Sequence, residues 1–277
     1  MPVASSSQLV AAARAAGRGL AAFNVITLEH AEAVVRAADA TGLPVVLQIS
    51  ENAVRFHGGR LSGLLAAATA VAQAAAGPVS LHLDHVTDPA LLRAAAGTAV
   101  SSVMFDASRL PYEENVRATA EAADWAHGHG IWLEAELGEV GGKDGAHAPG
   151  VRTRPDEAAA FVARTGVDAL AVAVGSSHAM TERSARLDHP LIARLREAVA
   201  VPLVLHGSSG VGDAELRRAV RAGMVKVNVG TALNLAFTGA VRDRLAADPA
   251  VHDPRVYLAA ARDAMAATAG HLLRVLA

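Results

Sequence analysis

The stretch VPLVLHGSSGVGDAELRRAVRAGMVKVNVG, residues 201–230, contains two short apolar strands separated by a helix. The strand-like runs are 201–207 and 224–230. Between them, after Asp213, which is suited to begin a helix, apolar residues recur at helical spacing. Parallel strands need a crossover connection, and that connection is usually a helix, so two strands joined through a helix indicate a parallel pair. The stretch therefore predicts one unit of a parallel sheet.

The same unit recurs along the whole chain. Six further runs rich in Val, Ile, Leu and Ala, separated by alanine-rich helical segments, occupy residues 20–25, 44–50, 78–84, 101–106, 130–137 and 168–174. Eight alternating strands and helices predict an α/β fold, the (β/α)₈ TIM barrel, whose usual length of roughly 250 residues fits a chain of 277. We expect a single TIM-barrel domain over residues 1–277, with a C-terminal helical extension that begins near Ala240.

The composition limits both the partners and the chemistry. Apolar residues make up 52% and charged residues 19%, the net charge is −2 and basic runs are absent, so nothing indicates nucleic-acid binding. The longest uncharged run, 61–83, is interrupted by Gln73 and by Gly77-Pro78, and the N-terminus lacks the basic segment of a signal peptide. We therefore expect no membrane span and a cytoplasmic location. Because cysteine is absent, any metal must be held by His, Asp or Glu.

Polar and ionisable residues follow almost every predicted strand. In TIM barrels these carboxyl ends carry the chemistry, because they meet at one end of the barrel. Taken alone, each histidine there is more often structural than a metal ligand. Three histidines at three strand ends, His85, His178 and His206, nevertheless match the ligand set of a catalytic zinc site with one open position. The other polar residues at strand ends are Asn24, Ser50, Asp84, Asp106, Glu134, Glu136 and Asn228.

The stretch LHLDHV, residues 81–86, poses a geometric problem for such a site. Side chains alternate along a strand, so Asp84 and His85 would point to opposite faces of the sheet. We therefore expect the strand to end at Asp84, which makes His85 the first residue of a turn and lets its ring approach the metal. His82, two residues before Asp84, is expected to be a hydrogen-bonded support residue.

Glycine-rich loops follow the last two predicted strands. They are HGSSGV (206–211) and NVGTAL (228–233). Barrels of this type commonly bind phosphate there, with backbone amides and a helix N-terminus. Gly207, Ser209 and Thr231 are the candidate phosphate-binding residues, although ordinary turns also use such glycines.

Five motifs resemble, in order and spacing, those of the class II metal-dependent ketose-bisphosphate aldolases, the family of fructose-1,6-bisphosphate and tagatose-1,6-bisphosphate aldolases. They are LHLDH (81–85), SVMFDASRLPYEENV (102–116), EAELGEVGG (134–142), HGSSGV (206–211) and KVNVGTAL (226–233). The resemblance covers essentially the whole chain, from AFNVITLEH (22–30) to DPRVYLAAARDAM (253–265).

The resemblance implies a lyase of carbohydrate metabolism, as in glycolysis, that reversibly cleaves a ketose phosphate into dihydroxyacetone phosphate and an aldehyde. It implies a catalytic Zn²⁺ or another divalent metal, allows a monovalent cation, and suggests a homodimer or homotetramer. It matches His85, His178 and His206 to the zinc ligands. It matches Asp84 to the acid–base residue that acts on the C4 hydroxyl. The other matches are Asn228 (stabilising the enediolate), Asp106 and Glu136 (alternative metal position), Asn24 and Ser50 (substrate), and Gly207, Ser209 and Thr231 (phosphate).

The residue types suit this chemistry independently of the resemblance. Cleavage of a C–C bond beside a carbonyl develops negative charge on the carbonyl oxygen, which a divalent metal stabilises as a Lewis acid. A carboxylate must also take the proton from the hydroxyl that becomes the aldehyde. Asp84, directly beside the candidate ligand His85, is suited to this step.

Three positions depart from the family's pattern. The family usually has His-Gly-x-Tyr-Lys after the sixth strand, whereas this chain has Glu182 in place of the phosphate-binding lysine, so that Arg183 would have to replace it. The loop after the fifth strand offers only Asp144 where the family has glutamates, and Gly230 stands where Asp is common. Gly230 is a variant that the family also shows, and the other two differences favour a divergent substrate: another sugar phosphate, or a less phosphorylated ketose.

The sequence is also compatible with three other functions. A Schiff-base aldolase would use a lysine, and of the two in the chain, Lys143 and Lys226, only Lys226 lies in a strand. A two-metal hydrolase would need a His-x-His pair where this chain has His82-x-Asp84. A non-catalytic descendant would bind a ligand without turnover, although Asp84 beside the metal ligands argues against it.

Overall fold

The computed structural model describes residues 3–137, 151–176 and 182–277. Eight parallel strands form a closed barrel in which each strand pairs with the next and β8 returns to β1. The strands are β1 (Leu20–Asn24), β2 (Val45–Ser50), β3 (Val79–Val86), β4 (Ser102–Phe105), β5 (Trp132–Glu136), β6 (Ala169–Ala171), β7 (Leu203–Leu205) and β8 (Met224–Val229). The TIM barrel predicted from the sequence is confirmed, with every strand inside or close to its predicted run.

The helices follow the strands around the barrel. They are α1 (Ser6–Ala15), α2 (Leu28–Thr41), α3 (Glu51–Phe56), α4 (Leu61–Ala74), α5 (Pro89–Arg93), α6 (Tyr112–Gly128), α7 (Pro155–Thr165), α8 (His189–Ala198), α9 (Asp213–Ala222), α10 (Thr231–Ala247) and α11 (Pro254–Leu276). The C-terminal helical extension is also present. The ion pairs Arg36–Asp263 and Arg262–Glu32 link α11 to α2. None of the helices in the described ranges is long and apolar enough to cross a membrane.

The two faces of the strands have different neighbours. In β3, Leu81 and Leu83 pack in the large apolar cluster between barrel and helices, while the alternate residues point into the barrel. Inside, a small apolar cluster that includes Leu20 and Val46 packs against Leu9 of α1. Apolar packing with α1 therefore fills the amino-terminal end of the barrel, and the polar inward residues gather at the carboxyl end.

The end of β3 differs from the prediction. The strand does not stop at Asp84 but continues to Val86. Its pairing with β4 shifts between Leu83 and Val86, which marks a β-bulge, and His85 within this bulge has a φ of 49°. A bulge inserts an extra residue and interrupts the alternation of side chains. His85 therefore reaches the same side as Asp84 from within the strand, not from a turn.

Candidate active site

A cavity of about 830 Å³ opens at the carboxyl end of the barrel. The sequence predicted twelve site residues, and eleven of them lie in the described part of the chain; His178 lies outside it. Ten of the eleven line this cavity: Asn24, Ser50, Asp84, His85, Asp106, Glu136, Gly207, Ser209, Asn228 and Thr231. His206, the eleventh, is fully buried directly behind the cavity wall and contacts His85.

Two imidazole rings, His85 in the cavity wall and His206 behind it, meet edge to face. His85 Nε2 lies 3.1 Å from His206 Nδ1, with the ring planes 83° apart. The other nitrogen of each ring lies beside a carboxylate: His85 Nδ1 is 2.8 Å from Asp106, and His206 Nε2 is 3.0 Å from Glu134. Carboxylates in such positions orient metal-binding histidines and make them better ligands.

The separation of the two nitrogens fits a shared divalent metal ion. Zinc binds imidazole nitrogen at about 2.0–2.1 Å, so two nitrogens on a tetrahedral ion lie about 3.3–3.4 Å apart. The observed 3.1 Å is close to this value. Asp84, His85 and His206 offer ligand atoms that all lie within 4.8 Å of one another. His85, Asp106 and Glu136 form a second group whose ligand atoms lie equally close together.

The charges around His85 are unusual for a histidine. Burial lowers the pKa of His85, but Asp84 and the hydrogen-bonded Asp106 outweigh it and raise the pKa to about 10. Burial raises the pKa of Asp106, yet the hydrogen bond from His85 outweighs that effect and holds the pKa well below its usual range. In the metal-free protein the imidazole of His85 therefore carries a proton, at a point where the surrounding carboxylates favour a positive charge.

Asp84 is a buried carboxylate held by three side-chain amides. Its oxygens accept hydrogen bonds from Asn24 at 3.4 Å, Gln48 at 3.3 Å and Asn228 at 3.3 Å. Burial raises the pKa of Asp84, and the nearby His85 opposes part of this effect. A carboxyl group whose pKa lies above its usual value is better suited to exchange protons near neutral pH.

Lys226 lies beneath this group, inside the barrel. Its Nζ donates to Glu134 at 2.7 Å and to Asn228 Oδ1 at 2.8 Å, and its side chain is 2% exposed. The bond to Asn228 Oδ1 turns the amide nitrogen of Asn228 towards Asp84. Lys226 therefore orients other groups from below, and it does not line the cavity as a Schiff-base lysine would have to.

Two of these residues have roles that were not predicted from the sequence. Gln48 received no role, although it stands two residues before Ser50 and so shares its face of β2. Glu134 was noted as a strand-end residue but not linked to His206. By contrast, His82 has the hydrogen bond expected of a support residue: its Nδ1 lies 2.8 Å from Ser102 Oγ.

The loops after β7 and β8 form a polar pocket in the cavity. Gly207 has a φ of 68°, in the left-handed region, and starts a short 3₁₀ turn, Ser208–Gly210. Ser209 Oγ accepts a hydrogen bond from Ala232 N, in the first turn of the 17-residue helix α10 that Thr231 begins. The N-terminus of such a helix, with hydroxyl groups beside it, favours an anion.

The departures from the family pattern have different structural outcomes. A Cβ at position 230 would lie 3.2 Å from Asn24 Oδ1, so the glycine leaves room for that amide. Arg183 does not replace the missing lysine, because its guanidinium donates to the Val211 carbonyl and to Asp213. Glu182 is exposed. Asp144 and Lys143 lie outside the described residues.

Comparisons with known proteins agree with this geometry. The family model described as Fructose-bisphosphate aldolase class-II matches residues 4–277. The fructose-bisphosphate aldolase of Geobacillus stearothermophilus is 40% identical over 254 residues, covering 89% of this chain and 87% of that protein. The probable fructose-bisphosphate aldolase of Bacillus subtilis (strain 168) is 38% identical, covering 97% of this chain and 95% of that protein.

Solved structures give the same result. The crystal structure of the YdjI aldolase from Escherichia coli K12 superimposes with a TM-score of 0.84 at 32% identity, covering 99% of this chain and 97% of that one. A putative fructose-1,6-bisphosphate aldolase from Coccidioides immitis gives a TM-score of 0.86 at 31% identity, covering 98% of this chain and 95% of that one. The sequence and the fold thus point to the same group of enzymes.

Proposed function

Because this chain belongs to the class II fructose-bisphosphate aldolase family and is a metal-dependent aldolase, we propose that it cleaves a ketose phosphate reversibly into dihydroxyacetone phosphate and an aldehyde at the cavity described above. The observation that carries the proposal is the pair of facing rings, His85 and His206, directly beside Asp84. No structural role requires two carboxylate-backed imidazoles and a buried carboxylate around one point.

His85 and His206 are the proposed ligands of the metal, with His178 as a third ligand predicted from the sequence. Zinc is the proposed ion, since three histidines with one open position are the ligand set of a catalytic zinc site. When bound, the metal supplies Lewis-acid polarisation of the ketose carbonyl. Asp106 and Glu134 keep the two rings oriented, and Asp106 with Glu136 offers the ion its alternative position.

Asp84 is the proposed acid–base residue. In cleavage it takes the proton of the C4 hydroxyl, so that the C3–C4 bond breaks as the C4 carbonyl forms, and in condensation it returns that proton. Asn24, Gln48 and Asn228 hold the carboxylate from three sides and limit its rotation. Asn228 also reaches His206 at 3.0 Å, so it connects the proton-transfer residue to the metal ligand.

The substrate is proposed to lie across the barrel mouth. One phosphate binds Gly207, Ser209 and Thr231, at the loops after β7 and β8. Ser50 and Asn24 contact the sugar chain. Two arginines, Arg55 and Arg109, line the cavity on the side of β2 and β4, and they suit a second acidic group at the far end of the substrate.

Other parts of the proposal come from the sequence alone. The cytoplasmic location, the homodimeric or homotetrameric state, the use of a monovalent cation and the place in glycolysis stay predictions. The divergent-substrate hypothesis also stays open, since Arg183 is engaged elsewhere and the loop of Asp144 is outside the described residues.

The proposed function is tested by assaying metal-loaded protein on fructose and tagatose bisphosphates and on the matching 1-phosphates. We expect cleavage of at least one ketose phosphate, loss of activity with a chelator, and recovery with Zn²⁺. A divergent substrate predicts inefficient cleavage of fructose-1,6-bisphosphate. A fully active Asp84→Ala variant would contradict the proposed proton transfer, and a metal-loaded protein inert on all four compounds would contradict the proposed substrates.

A further inference from the structure

Glu51 is a buried carboxylate that none of the roles above uses. It is the first residue of α3, directly after Ser50, and it is 6% exposed. Its Oε2 accepts hydrogen bonds from Thr87 N at 2.6 Å and Asp88 N at 3.2 Å, and both oxygens accept from Thr87 Oγ1. Charge-assisted bonds of this kind are about twice as strong as neutral ones. The first residue of α3 therefore holds the segment that begins with Thr87, two residues after His85.

His85 requires such support because of its backbone conformation. Its φ of 49° is the one positive φ found for a non-glycine residue in the described part of the chain. The left-handed conformation is strained for a non-glycine residue, and it persists only where the surroundings hold it. After the bulge, the Val86 carbonyl accepts from Asp106 N at 2.8 Å, and Thr87 is held by Glu51.

Glu51 acts on the backbone and not on the proposed metal. Among the residues described, it belongs to neither group of side chains able to share an ion. Glu51 also forms an ion pair with Arg55, one turn along the same helix. The Glu51 carboxylate therefore binds the segment after the bulge, at Thr87 and Asp88, and also Arg55 of its own helix.

We propose that Glu51 is a positioning residue. It keeps His85 in the left-handed conformation from which the ring meets His206, so metal affinity depends on a carboxylate that does not touch the metal. This inference rests on the metal site proposed above. Glu51 also links Ser50, a proposed substrate contact, to the proposed ligand His85. Ser50 is the N-cap of the helix that Glu51 begins.

The test measures the Zn²⁺ affinity of the full chain by competition with a chromophoric chelator, in the wild type and in Glu51→Gln. Glutamine has the same size, but it is uncharged and has only one acceptor oxygen. If that oxygen takes the place of Oε2, Thr87 N and Asp88 N lose their charge-assisted bonds, and the NH₂ group replaces the Oε1 that accepts from Thr87 Oγ1 and Arg55. We expect binding about 10–100-fold weaker, as for other side chains that orient metal ligands. Glu51→Asp, which keeps the charge but shortens the reach, is expected to weaken binding in the same way and provides a second variant if Glu51→Gln does not fold.

A matched control is Asp168→Asn. Asp168 also accepts a backbone N–H, from Leu133 at 2.7 Å, but at the amino-terminal end of the barrel. Its substitution should leave the Zn²⁺ affinity unchanged. Equal affinities of wild type and both Glu51 variants, or an equal loss in Asp168→Asn, would overturn the proposal.

A double-variant cycle identifies His85 as the group through which Glu51 acts. In a His85→Ala background, Glu51→Gln should change the Zn²⁺ affinity less than about twofold, because no ring remains to be positioned. A full 10–100-fold loss in that background would contradict the inference. If His85→Ala alone bound Zn²⁺ as tightly as wild type, the metal site itself would be wrong, which distinguishes the two failures.

Discussion

If a metal binds His85 as proposed, it must displace a proton, and this gives the metal affinity a defined pH dependence. The pKa of His85 in the metal-free protein is about 10, because Asp84 and Asp106 outweigh the effect of burial. A metal ligand must present an unprotonated nitrogen. Near pH 7 the ring of the metal-free protein is therefore almost fully protonated, and each ion that binds releases that proton.

The size of the effect follows from the pKa. Three pH units separate neutrality from a pKa of about 10, which corresponds to about a 1,000-fold loss of apparent affinity, or about 4 kcal/mol at 1.36 kcal/mol per unit. We expect the logarithm of the apparent Zn²⁺ affinity to rise with a slope near one from about pH 7 to pH 10. Calorimetric titration at pH 7 in buffers of different ionisation enthalpy should show about one proton released per ion.

The same pKa predicts how the metal-free protein responds to pH. A folded-state pKa raised from the ordinary 6.5 to about 10 stabilises the folded protein fully below pH 6.5, and this stability is lost as pH rises through about 10. Chelator-treated protein should become easier to unfold over that range, as measured in denaturant, while His85→Gln lacks this dependence. A pH-independent Zn²⁺ affinity with no proton release would contradict the prediction that each ion displaces a proton from His85, since it would mean that His85 is not the protonated ligand.

Three further outcomes follow from the site. Asp84→Asn should lower kcat about 10²–10⁴-fold in protein saturated with Zn²⁺, measured by steady-state assay with metal analysis of the same samples; an unchanged kcat would contradict its role. Lys226→Met should lower the free energy of unfolding by about 3–5 kcal/mol because it leaves Glu134 buried without its cation, and Lys226→Met/Glu134→Gln should recover most of this loss in denaturant titrations. If the double variant were no more stable than Lys226→Met, the ion pair would not be the cause. Arg109→Ala should lower kcat/KM for a ketose bisphosphate by roughly 10–150-fold, the equivalent of a charged hydrogen bond, and leave the ketose 1-phosphate unaffected; equal losses on both would exclude a distal contact.

The barrel could be predicted from the sequence because its signals are local. Each strand is a short apolar run. The glycines that end helices, such as Gly42 and Gly166, show that the next strand begins a few residues later. The two-residue period of a strand also placed Asp84 and His82 on one face. These patterns depend only on residues close together in the chain.

The end of β3 could not be predicted in the same way. The bulge at His85 depends on Glu51, 36 residues before Thr87, and on Asp106, which follows another strand. Local spacing gives no sign of contacts at such distances along the chain. The prediction that His85 reaches the side of Asp84 was correct, but the reason given for it was wrong.

The partners of the buried polar residues also lie far apart in sequence. Lys226 meets Glu134 over 92 residues, and Gln48 meets Asp84 over 36. A polar residue at an inward position of an apolar strand could have been noted from alternation alone. Which of the other strands it would meet depends on the closed barrel and its register.

The proposed metal centre is tested most directly by anomalous diffraction at the zinc edge from crystals of Zn²⁺-loaded protein. We expect one strong peak within about 2.1 Å of both His85 Nε2 and His206 Nδ1, and no peak there in His85→Ala crystals. A peak elsewhere in the barrel, or none in the loaded wild type, would contradict a metal centre built on these two rings.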